Sequence, residues 1–103
     1  LPVVTKLGEG FAARVAGSLL TAIDLPELIT DTDEHYERLI LELATEPEKL
    51  AAIRERLAKN RLQEPLFDTE RYTRNLERGL KAAYDLYFEG KKPEDIVMVE
   101  NEM

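Results

Sequence analysis

The 103-residue chain contains no cysteine and only one histidine. Without cysteine it can form no disulfide, no thiolate metal site and no cysteine nucleophile. The composition fits a reducing compartment, and a cytoplasmic location is expected. Basic residues are few as well. Fourteen Lys and Arg stand against 21 Asp and Glu, leaving a net charge of −7 and a pI near 4.8. Nucleic-acid binding needs a basic footprint that this balance does not supply. No apolar run approaches the roughly 18 residues that span a bilayer, and no charged-then-apolar leader is present. The chain reads as soluble, with no membrane partner. It also lacks internal repeats, low-complexity tracts and any linker that would divide it, so one domain is expected.

What is there begins with Leu1-Pro2-Val3-Val4-Thr5, followed by Gly8-Glu9-Gly10 and then Phe11-Ala12-Ala13-Arg14-Val15. This order reads as a short apolar strand, a glycine turn and the start of a helix, half of a βαβ unit. Val3 and Val4 are the expected strand core, and Pro2 is tolerable at a strand start. One strand alone leaves its backbone groups without a ladder. With no methionine in front, the segment reads as an inner sheet element from the back part of a larger α/β enzyme.

Four helices are expected. The first spans about Phe11–Ile23, with Phe11, Val15 and Leu19 beside Ala12, Ala16, Leu20 and Ile23, and ends at Asp24-Leu25-Pro26. The second opens near Thr30-Asp31, where Asp31 and Glu34 resemble a capping box, and buries Tyr36, Leu39, Ile40 and Leu43. The third is capped by Thr45 with Glu48, carries Pro47 in its first turn and buries Leu50, Ile53 and Leu57. Pro65 stops it. The fourth starts at Asp68 as N-cap, ends near Phe88 or Glu89, and presents an apolar face of Tyr72, Leu76, Leu80, Ala83, Tyr84 and Tyr87. Gly79 inside it costs about 1 kcal/mol against alanine and implies a close neighbour, while Gly90 is the expected C-terminal cap. The run Ile96-Val97-Met98-Val99 lies in an acidic tail and is either docked or disordered.

Candidate chemistry is sparse. His35, among acids in a first helical turn, reads as a surface residue rather than a catalytic base. Asp31, Asp33 and Glu34 lack the liganding pattern of a calcium loop, and capping accounts for them better. Arg54, Arg56, Lys59 and Arg61 read as a solvated face. Tyr72, Tyr84, Tyr87 and Phe88 read as core or interlobe packing before a sugar-stacking platform.

Three stretches in register resemble the C-terminal end of the O-linked N-acetylglucosaminyltransferase (SPINDLY-like) family. They are Leu1-Pro2-Val3-Val4-Thr5; Gly8-Glu9 with Phe11-Ala12 and Arg14-Val15-Ala16-Gly17-Ser18; and Pro65-Leu66-Phe67-Asp68-Thr69 with Tyr72-Thr73 and Leu76-Glu77. The resemblance covers nearly the whole chain. It implies a tetratricopeptide-repeat region followed by a two-lobed GT-B glycosyltransferase. Such enzymes move N-acetylglucosamine, or a related sugar, from UDP to serine or threonine hydroxyls of proteins, inverting the anomeric centre without a metal. Residues 1–93 would then be the C-terminal portion of a Rossmann-like lobe, an α/β fragment with one short strand and about four helices, and 94–103 an acidic tail.

The family's UDP-holding histidine, threonine and lysine segments precede this stretch, so the resemblance assigns no catalytic residue, metal or resident cofactor here. The partners it implies are acceptor proteins and the UDP-sugar. Gly10 and Phe11 depart from the threonine-leucine of the animal enzymes, which suggests a bacterial relative with a different acceptor. Gly8 and Glu9 are expected on the rim of the nucleotide-sugar site, because ligands in open α/β sheets lie beyond the carboxyl ends of strands. Residues 68–89 are the expected structural helix crossing back to the N-terminal lobe. The isolated piece is expected to be inactive and to self-associate through exposed Val3 and Val4. Two alternatives stay open: a free-standing helical interaction module, and an asparagine-directed transferase of the same family.

Overall fold

The computed structural model describes residues 1–100, so three residues of the expected tail, 101–103, lie outside the described residues. The chain forms two compact units, residues 1–67 and a second beginning at Asp68. The described residues are mostly helical, with one short strand pair among them.

The first unit opens with β1 (Thr5–Lys6), α1 (Ala12–Ala22), a 3₁₀ turn (Pro26–Leu28) and β2 (Ile29–Thr30). The strands pair in parallel, Thr5 against Ile29 and Lys6 against Thr30, so α1 is the crossover of a complete βαβ unit. The structure corrects the sequence expectation twice here. The strand lies at Thr5–Lys6 rather than across Leu1–Thr5, and it has a partner within the chain. The first difference has a direct cause. The residues before Ile29 turn as a 3₁₀ helix, so nothing in β2 stands opposite residues 1–4. Val3 is half exposed accordingly. Thr30 thus lies in β2 and not at the helix start expected near Thr30-Asp31, because two strand residues are too few to show alternation.

Helix α1 lies close against the strands because Gly17 lets it. A Cβ there would stand 2.5 Å from Leu7 Cδ2 and 4.0 Å from Ile29 Cγ2. The helix buries Gly17 and Leu20, with Ile23 just beyond its end, whereas Phe11, Val15 and Leu19 of the expected stripe stay exposed. Its end is set by Asp24, the only described non-glycine residue with positive φ (57°), ahead of Pro26. Asp24 N donates to Thr21 O at 3.1 Å and Leu25 N to Leu20 O at 2.8 Å. This is a Schellman motif with aspartate in the left-handed position, which aspartate tolerates better than most residues.

Helix α2 (Asp33–Thr45) follows β2 directly. Its N-cap is Thr32, not Asp31, and Thr32 Oγ1 accepts from His35 N at 3.1 Å. Two residues are taken up by β2 and its exit, which moves the helix start forward. Ile40 is 42% exposed, so the inner stripe narrows to Tyr36, Leu39 and Leu43.

Helix α3 (Pro47–Gln63) has Glu46 as N-cap with no side-chain capping bond. Thr45 does not cap it, because its hydroxyl donates back to Leu41 O at 2.8 Å inside α2. Pro47 occupies the first turn, where its missing N–H has no intrahelical partner to lose. Ile53 is buried, with Leu50 and Leu57 partly so. Leu20, Ile23, Leu25, Leu28, Leu43 and Ile53 form the core, and Val4, Ile29, Leu39, Leu57 and Leu66 pack against it.

Polar contacts fasten α3 to the end of α1. Asn60, buried, donates from Nδ2 to Ile23 O at 2.9 Å and to Asp24 O at 3.3 Å. Arg56 donates to Asp24 O at 3.0 Å and pairs with Glu27. These bonds supply donors for carbonyls that a helix end leaves free. Arg56 stays on the exposed face expected for it, and these contacts also make it a fastening residue.

The second unit contains α4 (Thr69–Phe88). Asp68 caps it as expected, its carboxylate accepting from Arg71 N at 3.0 Å. Gly90, at φ 75°, closes the other end. Gly90 N donates to Tyr87 O and Lys91 N to Leu86 O, both at 3.1 Å, another Schellman motif. No residue of α4 is buried. Tyr72, Leu76, Leu80, Tyr84 and Tyr87 are 48–76% exposed, so the apolar stripe is present but is not core in this chain. Tyr84 and Phe88 stack on the helix with ring centroids 4.5 Å apart. At Gly79 an added Cβ would meet Met98 Cγ at 3.5 Å, an ordinary contact, so no close approach demands glycine there.

Candidate functional site at the carboxyl edge of the strand pair

Parallel strands send their carboxyl ends to the same edge of the sheet, and here each leads into a helix start. β1 runs through Leu7-Gly8-Glu9-Gly10 into α1, and β2 through Asp31-Thr32 into α2. Both helices thus turn their N-termini toward one rim. Helix N-termini carry partial positive charge and free N–H groups, which suits anionic groups.

The glycine loop is held by backbone bonds. Leu7 N donates to Thr30 O at 2.8 Å, extending the ladder one residue past Lys6. Gly8 N then donates to Ala13 O at 3.2 Å, and Ala13 N to Gly10 O at 3.2 Å. A side chain at Gly8 would place its Cβ 2.8 Å from Ala13 Cβ, so only glycine lets the loop fold back onto the first turn of α1. Gly10 faces open space. Phe11 serves as N-cap without a side-chain bond, and the first turn of α1 contains no acid to neutralise its dipole. Glu9 is exposed and makes no ion pair or side-chain hydrogen bond among the described residues.

The structure adds Lys6 and Thr30 to the rim and brings Asp31, Asp33 and His35 there as well. Lys6, the last residue of β1, reaches across to Asp33 at the start of α2, Nζ to Oδ1 2.7 Å. That hydrogen bond, with the charge behind it, raises the Lys6 ammonium above its ordinary range. Thr30 is 1% exposed and its hydroxyl donates to Thr5 O at 2.9 Å, tying the strands side chain to backbone. Asp31 stands 3.5 Å from His35 Nδ1 at the same rim. Asp31, Asp33 and His35 are thereby engaged with neighbours at the edge. Lys6 could have been suspected from its place at a strand end, but its partner lies 27 residues away and only folding brings it near.

Chemically, the rim combines a glycine loop bent onto an uncompensated helix start, one unpartnered carboxylate at Glu9 and a fixed Lys–Asp pair. That arrangement is suited to holding a polar ligand and includes no nucleophile–base pair among the described residues.

A parallel βαβ unit with a glycine loop at its carboxyl edge is an α/β element of the kind whose ligands lie beyond the strand ends. Residues 1–76 match glycosyl transferase family 41, and the chain belongs to that family. The chain is 38% identical over 104 residues to the probable UDP-N-acetylglucosamine–peptide N-acetylglucosaminyltransferase SEC of Arabidopsis thaliana, covering 100% of this chain and 11% of that protein. It is 33% identical over 93 residues to the probable UDP-N-acetylglucosamine–peptide N-acetylglucosaminyltransferase SPINDLY of Hordeum vulgare, covering 90% and 10%. It is 34% identical over 89 residues to the UDP-N-acetylglucosamine–peptide N-acetylglucosaminyltransferase of Caenorhabditis elegans, covering 86% and 8%. The chain thus spans about a tenth of the length of the curated relatives it matches.

Proposed function

We propose that this chain belongs to the catalytic region of a protein O-glycosyltransferase that moves N-acetylglucosamine, or a related sugar, from UDP to serine or threonine hydroxyls. The observation that carries the reading is the family match over residues 1–76, which begins on the βαβ unit and includes its glycine loop. The relatives are named for UDP-N-acetylglucosamine and peptide acceptors. The parallel strand pair with its crossover helix supports a place in an α/β lobe of the GT-B type.

In this reading the protein's contribution is positional and electrostatic. Transfer requires an acceptor hydroxyl aligned against the sugar and stabilisation of the departing diphosphate. The α1 N-terminus, open and without acids in its first turn, contributes positive potential toward that diphosphate. Gly8 shapes the loop, and Glu9, free of other partners among the described residues, contacts sugar hydroxyls at the rim. Inversion without a metal, a cytoplasmic setting and a preceding tetratricopeptide region follow as parts of the same proposal.

The deciding experiment is steady-state kinetics of the full-length enzyme carrying Glu9→Ala. A rise in KM for the UDP-sugar is expected, with the acceptor KM little changed. Unaltered donor kinetics would remove Glu9 from the site. UDP titrated into the 103-residue chain alone is expected to give no binding by calorimetry, and micromolar affinity would overturn the view that the essential groups lie in other segments.

A further inference from the structure

Beyond Gly90 the chain does not wander. Residues 91–100 have no regular secondary structure, yet they run back along α4 in a fixed register. Ile96 and Met98 are each 37% exposed, whereas Val97 and Val99 are 84% and 67% exposed. Such alternation marks an extended segment with one side turned to a surface. Ile96 borders a depression with Ala83, Leu86 and Tyr87. Met98 lies over Gly79. Arg78 Nη2 donates to Val99 O at 2.9 Å. Glu100 is then gripped by two residues: Arg71 Nε donates to Oε1 at 2.6 Å while its Nη2 pairs with Oε2, and Asn75 Nδ2 donates to Oε1 at 2.6 Å.

Arg71, Asn75 and Arg78 are spaced i, i+4, i+7 and so share one face of α4, with Gly79 and Ala82 continuing the same side. The groups they offer recognise general features. A guanidinium fork reads a carboxylate, an amide adds a donor, and a second guanidinium reads a main-chain carbonyl. Two apolar contacts at alternate positions fix the register. None of these contacts depends on residues 96–100 being covalently attached to α4.

We propose that this face of α4 is a binding groove for an extended protein segment of the pattern apolar–x–apolar–x–carboxylate. Residues 96–100 occupy it in cis, and a partner's segment of that pattern binds by displacing them. The cis segment competes through its high effective concentration, so the groove is masked until a partner outcompetes it. The proposal is independent of the glycosyl-transfer reading, because every residue it uses follows Asp68 in the sequence and belongs to the second unit.

The test uses the full 103-residue chain and a fluorescent peptide with the sequence of Glu94–Glu100, followed by anisotropy. Wild-type protein is expected to bind the peptide weakly. Glu100→Ala, which frees the cis segment from Arg71 and Asn75, is expected to bind it more tightly by about fivefold, the upper range for an exposed ion pair. Adding Arg71→Ala to that variant should abolish the gain, and a peptide ending in Gln should bind less well than one ending in Glu. Hydrogen exchange at Val97–Val99 should quicken in Glu100→Ala while the amides of α4 keep their protection. Peptide affinity indifferent to both substitutions, or unchanged exchange in residues 97–99, would overturn the proposal.

Discussion

In the unit of residues 1–67, six apolar side chains are at most 9% exposed and two polar ones, Thr30 and Asn60, are buried among bonded partners. In the unit beginning at Asp68 no side chain of α4 is buried, and the helix is held by caps, ion pairs and the segment that runs along it. Both regions are amphipathic in sequence, with apolar residues at helical spacing. The difference is whether that spacing meets a second surface. α1 and α2 meet the strand pair and α3 packs against α2, whereas the α4 stripe is largely exposed in this chain. Amphipathicity therefore predicts a face that wants covering and does not say what covers it. Tertiary packing supplies most helix stability in proteins, so the two units should respond differently to the same kind of change.

The largest contrast is expected from truncating leucine in each region. Leu28→Ala, at a site with no exposure, should cost about 2–5 kcal/mol, as core cavities do. Leu80→Ala, at a site 63% exposed, should stay within about 0.5 kcal/mol. Urea denaturation followed by circular dichroism reads both, and comparable losses would erase the distinction. Asn60→Ala tests the polar fastening of the first unit. It leaves the Ile23 and Asp24 carbonyls short of a donor, so a loss of about 1–3 kcal/mol is expected.

Glycine substitution should reverse sign between the units. Gly8→Ala forces a Cβ to 2.8 Å from Ala13 Cβ, and overpacking of that kind costs about 1–3 kcal/mol. Gly79→Ala makes only an ordinary contact with Met98, so the gain in helix propensity, up to about 1 kcal/mol, should prevail. Thermal melting of the two variants moving in the same direction would break the comparison.

The smallest effect concerns acid. Arg71, with Asn75 beside it, lowers the Glu100 carboxyl from 4.5 to about 2. Because its pKa is lower when docked than when released, the contact strengthens the docked state fully above pH 4.5 and loses this contribution as pH falls toward 2. Exchange at residues 97–99 should quicken across that window, with the core of the first unit unaffected by this group. High salt should weaken the same contact at neutral pH, since both partners are partly exposed. Exchange that stays constant from pH 5 to below 2 would show that the carboxylate does not anchor the segment.

Several features were legible from residues alone because their causes are local. Asp68 as N-cap, Gly90 as C-terminal cap, Pro47 in a first turn and the boundaries of α4 each depend on side-chain chemistry within a few positions. Gly8-Glu9-Gly10 was legible as a turn between a strand and a helix. Other readings failed or stayed incomplete where a distant partner decides. Whether Thr32 or Asp31 caps α2 depends on two residues being drawn into a strand with Thr5 and Lys6. Thr45 turned back into α2, and Arg56, one of four neighbouring cations, was singled out by Glu27 and Asp24.

The amino-acid order by itself determined the helical content, the caps, the glycine turn and, through three short stretches in register, the family. These follow from backbone preferences and side-chain bonds that act over one or two turns of chain. Only the tertiary structure decided the rest: that a second strand exists at Ile29-Thr30, that Lys6 meets Asp33, that α3 seals the end of α1, and that α4 keeps its apolar stripe uncovered while its polar face is occupied. Each of those depends on groups about 20 or more residues apart being brought within a few ångströms, or on a surface that is or is not present, and no local propensity specifies either.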